Sequence, residues 1–189
     1  MSGAREPWKI IYAGTAVTLA IAGAIFVWNV WDTGHTTGAH VVPRSAAAFN
    51  ADIAAERYRV LSRVQPPAYV SAPNAAPDFT NAMNAYAQRD YEAAIAGLSA
   101  VVYSKPAFVP AHFYLGVCDL IMRDRLSAIA QFKAVIAAGE TPYLEQARFY
   151  LAKALLAGFD AGAARSELKR VVGMGGPLAD EAQKILNQI

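Results

Sequence analysis

Two stretches in the C-terminal half align without a gap: Phe113–Ala128, with the sequence FYLGVCDLIMRDRLSA, and Phe149–Ala164, with the sequence FYLAKALLAGFDAGAA. The second begins 36 residues after the first. Each contains apolar residues at helical spacing, a short polar turn and the start of a second apolar stretch. This pattern is typical of two antiparallel helices. The sequence therefore predicts a repeated helix pair.

A third copy lies 34 residues before the first of these two, and its second helix begins with the motif Asp90-Tyr-Glu-Ala-Ala-Ile95. In all three copies a small residue and a large apolar residue recur in the second helix: Ala94, Ala128 and Ala164, and Leu98, Phe132 and Leu168. Small residues let two helices approach closely, and about three stacked pairs bury a stable continuous core. We expect helix pairs at about 78–108, 109–144 and 145–176, followed by a capping helix at 177–189.

This pattern resembles the tetratricopeptide-repeat family. Leu115-Gly116 and Leu151-Ala152 match the Leu-Gly/Ala pair of the family's first helix, and Pro106 matches its terminal proline. The family's glycine in the turn between the two helices is replaced in each copy, by Arg89, Arg123 and Phe159. These replacements are expected to loosen individual turns without changing the fold.

The resemblance implies a concave groove lined by the first helix of each pair. The positions that line it are mostly aromatic or apolar here: Phe79, Met83, Tyr86, Phe113, Val117, Leu120, Phe149, Lys153 and Leu156. Such a surface favours an apolar peptide or helix as ligand. Binding of an acidic chain terminus is not expected, because Lys153 is the one basic residue in the set. Two alternatives stay open: these side chains are core residues between stacked pairs, or the chain's own linker fills the groove.

The N-terminal region contains 22 uncharged residues, 10–31, between Lys9 and Asp32. That length is about enough to cross a hydrocarbon core of roughly 30 Å. Trp8, Trp28 and Trp31 lie near its two ends, as expected at membrane interfaces. The run is longer than the apolar region of a signal peptide, and the residues that follow it are a poor cleavage site, so we predict an uncleaved transmembrane helix. Positive charge before it places residues 1–9 in the cytoplasm of a bacterium and the rest of the chain in the periplasm.

The predicted membrane helix carries small residues at the spacing that helix contacts in lipid use: Gly14, Ala16, Thr18, Ala20, Ala22 and Ala24. The alternative is that they reflect the general frequency of Ala and Gly in membrane spans. Residues 32–77 are expected to form a linker, with an amphipathic helix at 45–64 and a stiff proline-rich spacer after it. The repeat domain then occupies residues 78–189.

Composition argues against catalysis and against nucleic-acid binding. The net charge of +2 gives no basic surface for a phosphate backbone. A single cysteine, Cys118, excludes an intrachain disulfide and a cysteine metal-ligand pair. No nucleophile elbow, phosphate loop or His-Glu-x-x-His motif occurs. We therefore expect no enzymatic activity, no cofactor and no metal, with other proteins as partners.

The expected fold class is all-α, with one N-terminal transmembrane helix and a tetratricopeptide-like α-solenoid of three helix pairs and a capping helix. The expected function is that of a scaffold or accessory structural subunit on the periplasmic side of a larger membrane complex, such as a photosynthetic or respiratory one. Its partners would be integral-membrane or periplasmic subunits. The alternative is a periplasmic holdase-type chaperone or an envelope assembly factor associated with the secretion machinery.

Overall fold

The computed structural model describes residues 45–69 and 76–189, and all regular structure in these ranges is helical. The helices are α1 (Ala46–Leu61), α2 (Pro77–Ala87), α3 (Tyr91–Ser104), α4 (Val109–Ile121), α5 (Arg125–Ala137), α6 (Leu144–Ala157), α7 (Ala161–Met174) and α8 (Ala179–Leu186). The all-α prediction is thus confirmed for this part of the chain.

The membrane predictions concern residues outside the described ranges. These are the cytoplasmic N-terminus 1–9, the helix 10–31 with its small-residue face from Gly14 to Ala24, and the interfacial Trp8, Trp28 and Trp31. Among the helices of 45–69 and 76–189, none combines the length and the apolar character needed to cross a membrane.

Helices α2–α8 are arranged as three pairs and one further helix, because each packs against the next along the chain. The pairs are α2 with α3, α4 with α5, and α6 with α7, while α8 packs on α7. Helix α1 precedes the pairs in sequence but packs against α6, far along the array. Residues 63–69, which follow α1, therefore run from the third pair back to the first.

The second helices bury the residues that recur in all three copies. Ala94, Ala128 and Ala164 are fully buried, as are the large residues Leu98, Phe132 and Leu168. On the facing helix, a Cβ at Gly116 would lie 2.9 Å from a ring carbon of Phe132. Such close approach explains why alanine and glycine occupy the positions where paired helices meet.

The three turns within the pairs share one geometry although their sequences differ. Arg89, Arg123 and Phe159 all adopt left-handed backbone, with φ of 63°, 67° and 61°. At the first turn, the Asp90 N–H donates to the carbonyl of Ala85 at 3.0 Å, and the Asp90 side chain accepts from the N–H of Ala93 at 3.1 Å. The aspartates of the other two turns, Asp124 and Asp160, make the same pair of bonds. The turns are therefore not loosened; instead, each side chain imposes a backbone strain of about 1–2 kcal/mol.

Candidate functional site

The first helices of the pairs form a wall that is covered by the chain's own residues 63–69, here called the linker segment. Three side chains of the wall donate hydrogen bonds to backbone carbonyls of this segment. Lys153 Nζ donates to the carbonyl of Arg63 at 2.9 Å, Tyr150 Oη to that of Gln65 at 2.7 Å, and Tyr86 Oη to that of Pro67 at 2.8 Å. The three acceptors are alternate residues, as expected for an extended chain whose alternate carbonyls face one side.

The C-terminal end of the linker segment inserts an aromatic ring between α2 and α4. The Tyr69 ring meets Phe79 edge-on at 6.0 Å and Tyr114 at 5.7 Å between centroids. Its hydroxyl is buried and has no hydrogen-bond partner within 45–69 and 76–189. Val64 also packs against the core below. The segment is thus fixed by its carbonyls and by a few inward-facing side chains.

Most of the other side chains of the linker segment face solvent. Arg63, Gln65, Pro66 and Ala68 are exposed, whereas Pro67 is half-buried. The wall therefore contacts the backbone at three points and leaves the chemistry of several side chains unconstrained.

Helix α1 fixes the start of the linker segment at the far end of the array. Tyr58 lies 6.3 Å from the ring of Phe159, and Leu61 packs on the cluster of α6, α7 and α8. Arg57 Nη1 donates to the carbonyl of Gln188 at 3.2 Å. The segment then runs from α6 to α2, against the order of the repeats.

All nine predicted groove residues are buried, with exposed fractions between 0% and 7%. Three of them meet the linker segment: Tyr86 and Lys153 through hydrogen bonds, and Phe79 through the ring of Tyr69. The other six lie in the packed interior: Met83, Phe113, Val117, Leu120, Phe149 and Leu156. The wall is thus partly helix core and partly a surface covered by the linker, and its use by a separate partner stays a prediction.

Tyr150, Tyr114 and Tyr69 were not among the site residues predicted from the sequence. A signal for the first two was present, because the identical Phe-Tyr-Leu triplets at 113–115 and 149–151 place a tyrosine beside each wall phenylalanine. Tyr69 had no such signal, since it lies in a proline-rich stretch without periodicity.

Burial shifts the pKa of each of the three donors. Burial raises the pKa of Tyr150 to about 12, with Glu181 acting in the same direction, and raises that of Tyr86 well above its usual range. Both hydroxyls therefore carry a proton to donate at neutral pH. Lys153 is buried with its Nζ 3.5 Å from Glu181 and 4.9 Å from the centre of the Phe149 ring. Burial lowers the pKa of Lys153, and the Glu181 carboxylate opposes that change.

Helix α4 carries two further buried titratable groups. Asp119 is 5% exposed, and burial raises its pKa to about 7, with a smaller contribution from Asp124. The neighbouring Cys118 is a free buried thiol whose pKa burial raises to about 12, so it is unreactive at neutral pH.

His112 connects α4 to α5 and to the loop that precedes α4. Its ring nitrogens lie 2.8 Å from the carbonyl of Pro106 and 2.7 Å from Gln131 Oε1. Within the described ranges, no three His, Cys, Asp or Glu side chains converge as a metal site requires. These contacts agree with a structural role for His112.

Comparison with protein-family models and with curated protein sequences gives no match for this chain.

Proposed function

We propose that this chain is a membrane-anchored helical-repeat scaffold of the tetratricopeptide type, acting as an accessory structural subunit of a larger membrane complex. The observation that carries this proposal is the row of three donors, Tyr86, Tyr150 and Lys153, which bind alternate carbonyls of an extended segment. Hydrogen bonds to the main chain provide affinity for an extended peptide, and pockets for its inward-facing side chains provide specificity. The site is therefore chemically suited to bind protein.

The remaining parts of the proposal come from the sequence. The uncharged residues 10–31 would anchor the chain in a bacterial inner membrane, with residues 1–9 in the cytoplasm and the repeats in the periplasm. Integral-membrane or periplasmic subunits, of a photosynthetic or respiratory complex for example, would be the partners. We propose no catalytic role and no cofactor.

Capture of the full chain from native membranes tests this proposal. The membranes are dissolved in mild detergent, the chain is purified by an affinity tag, and accompanying proteins are identified by mass spectrometry. A discrete set of subunits at fixed ratio is expected. A broad, substoichiometric spread of exported proteins would instead identify a holdase-type chaperone.

Variants of the wall connect that result to the site. Tyr86→Phe combined with Tyr150→Phe removes two donors and keeps both rings, so the captured subunits should be reduced. Tyr103→Phe is the matched control. Tyr103 is 90% exposed, so removing its hydroxyl leaves the wall intact. Equal capture by both variants would show that partners bind elsewhere on the chain.

A further inference from the structure

The linker segment covers the same wall that the proposed function assigns to a partner. We propose that it is an intramolecular ligand, which is displaced by an extended segment of a partner protein with the same chemistry. That chemistry is a row of alternate backbone carbonyls, a proline at the place of Pro67 and an aromatic ring at the place of Tyr69. The inference rests on the proposed function, because it specifies what the wall binds.

The wall recognises backbone more than side chains. Its three hydrogen bonds go to the carbonyls of Arg63, Gln65 and Pro67, which any sequence can supply. Proline suits such a site because it donates no N–H that would need a partner and because its fixed φ reduces the entropy lost on binding. Sequence preference then arises at the half-buried positions of the segment. Among them is Tyr69, whose ring contacts Phe79 and Tyr114.

Tyr69 makes the linker segment an imperfect ligand. Its ring fills a space between Phe79 and Tyr114, yet its buried hydroxyl lacks a hydrogen-bond partner in the part of the chain that the structure describes. A buried hydroxyl without a partner loses its bonds to water and gains none. A partner segment with phenylalanine at this place keeps the ring contacts without that cost. Such a segment should bind more tightly than the chain's own.

The linker segment competes through proximity. A ligand tethered to its own site has an effective concentration of about a millimolar. A partner binds only when the linker segment has left the wall. Its apparent affinity is therefore lower when a larger fraction of the molecules is closed, with the linker segment on the wall. Weakening the linker segment should therefore strengthen the binding of an added peptide.

Peptide binding to the full chain in detergent tests this inference. The probe is a fluorescent peptide with the sequence of residues 63–69, RVQPPAY, blocked at both ends. Its affinity is measured by anisotropy for the wild type and for a Val64→Asp, Tyr69→Ala variant, which changes the chain's own segment and no wall residue. If about nine molecules in ten are closed, the variant should bind the peptide about tenfold more tightly. The Ala68→Ser chain, altered at one exposed position of the linker segment, is the matched control and should bind like the wild type.

Two further arms identify the site and its preference. Adding Tyr150→Phe to the opened variant should remove most of the gained affinity. The Tyr69→Phe version of the peptide should bind several-fold more tightly than the tyrosine version. The Tyr69→Phe chain, whose own segment then fits better, should bind the peptide more weakly than the wild type.

Equal affinity of the peptide for the wild type and the opened variant would overturn the inference, and so would the absence of binding to both. Loss of helical structure in the opened variant would show that the linker segment is a structural strap; the Tyr69→Phe chain still tests competition in that case. The scaffold proposal is tested separately, by the capture of co-purifying subunits. Peptide binding without co-purifying subunits would refute the scaffold and leave this inference intact.

Discussion

Replacing the arginines of the first two turns by glycine should stabilise the protein. Arg89 and Arg123 have φ of 63° and 67°, a conformation in which a Cβ crowds the backbone. Both residues are exposed, and neither side chain forms a hydrogen bond or an ion pair within the described ranges. Little besides the backbone conformation therefore changes in the Arg89→Gly and Arg123→Gly variants.

The magnitude follows from two opposing terms. Left-handed backbone costs an L-residue about 1–2 kcal/mol. The greater freedom of glycine in the unfolded chain returns roughly 0.5–1 kcal/mol of that gain. We expect a net stabilisation of about 0.5–1 kcal/mol at each turn. The turns belong to different helix pairs, so the double variant should gain about 1–2 kcal/mol by additivity.

Phe159→Gly provides an internal comparison. Phe159 has the same strain, with φ of 61°, but its ring contacts Tyr58 of α1. Losing an aromatic contact of this kind costs about 0.5–1.5 kcal/mol, which offsets the relief of strain. This variant should therefore show little change in the free energy of unfolding.

Thermal and urea unfolding of the full chain in detergent, followed by circular dichroism, measure these effects. The Arg89→Gly, Arg123→Gly chain should melt several degrees higher, at about 2–4 °C per kcal/mol for a chain of this size. The control is Arg89→Ala, Arg123→Ala, which removes both arginines but keeps the Cβ atoms and should stay near the wild type. A loss of about 1 kcal/mol per glycine, as in an ordinary helix, would refute the left-handed geometry of the turns.

Four other predictions concern packing and charge. Ala128→Leu, at a fully buried helix crossing, should cost about 1–3 kcal/mol in urea unfolding, whereas Ala130→Leu at an exposed position of the same helix should cost little. Gly116→Ala should lower the melting temperature because its Cβ would lie 2.9 Å from a ring of α5. Gly173→Ala has no atom within 4 Å of its new Cβ and should stabilise by about 0.5–1 kcal/mol. Asp119→Asn should raise the free energy of unfolding at about pH 8 and change it little at about pH 4. Burial raises the pKa of Asp119 from 3.8 to about 7. The free energy of unfolding of the wild type therefore decreases as pH rises from about 4 to about 7, by roughly 4 kcal/mol at most. An effect of Asp119→Asn that is equal at both pH values would contradict this assignment.

The second helices were the most predictable part of the fold. Their alanines and large apolar residues recur in three copies because one packing geometry imposes one residue size at each crossing. The sequence also contains a signal for the start of each second helix. That signal is an aspartate that acts as the N-cap: Asp90, Asp124 and Asp160.

Helix α1 was predicted less accurately than the second helices of the pairs. It was expected to extend to residue 64, but it ends at Leu61. Two local causes account for this difference. Gln65 precedes a proline, which disfavours helical backbone at this residue. The carbonyls of Arg63, Gln65 and Pro67 bond to the wall rather than within a helix.

The contact between the linker segment and the wall could not be predicted in detail, because its acceptors are main-chain carbonyls. Every residue carries such a group, so the sequence of the segment does not indicate which carbonyls will be bound. Only the donors are specified by residue type. Tyr150 and Tyr86 could have been proposed as donors, but their acceptors become evident only when the chain is folded.

Comparison of equivalent positions in the three repeats distinguishes residues of the core from residues that bind the linker segment. A packing role requires similar residues in every copy, whereas one particular ligand requires different residues along the wall. Lys153 occupies the repeat position of Met83 and Val117, and Tyr86 that of Leu120 and Leu156. These two departures from the repeat pattern are two of the three donors to the linker segment. Tyr150 matches Tyr114 of the second pair, whereas the first pair has Thr80 at this position. The two tyrosines also act differently, because Tyr150 bonds a carbonyl and Tyr114 contacts the ring of Tyr69. In a repeat protein, positions where copies disagree on the first helices are therefore the first to test for binding, and positions where they agree are the first to test for stability.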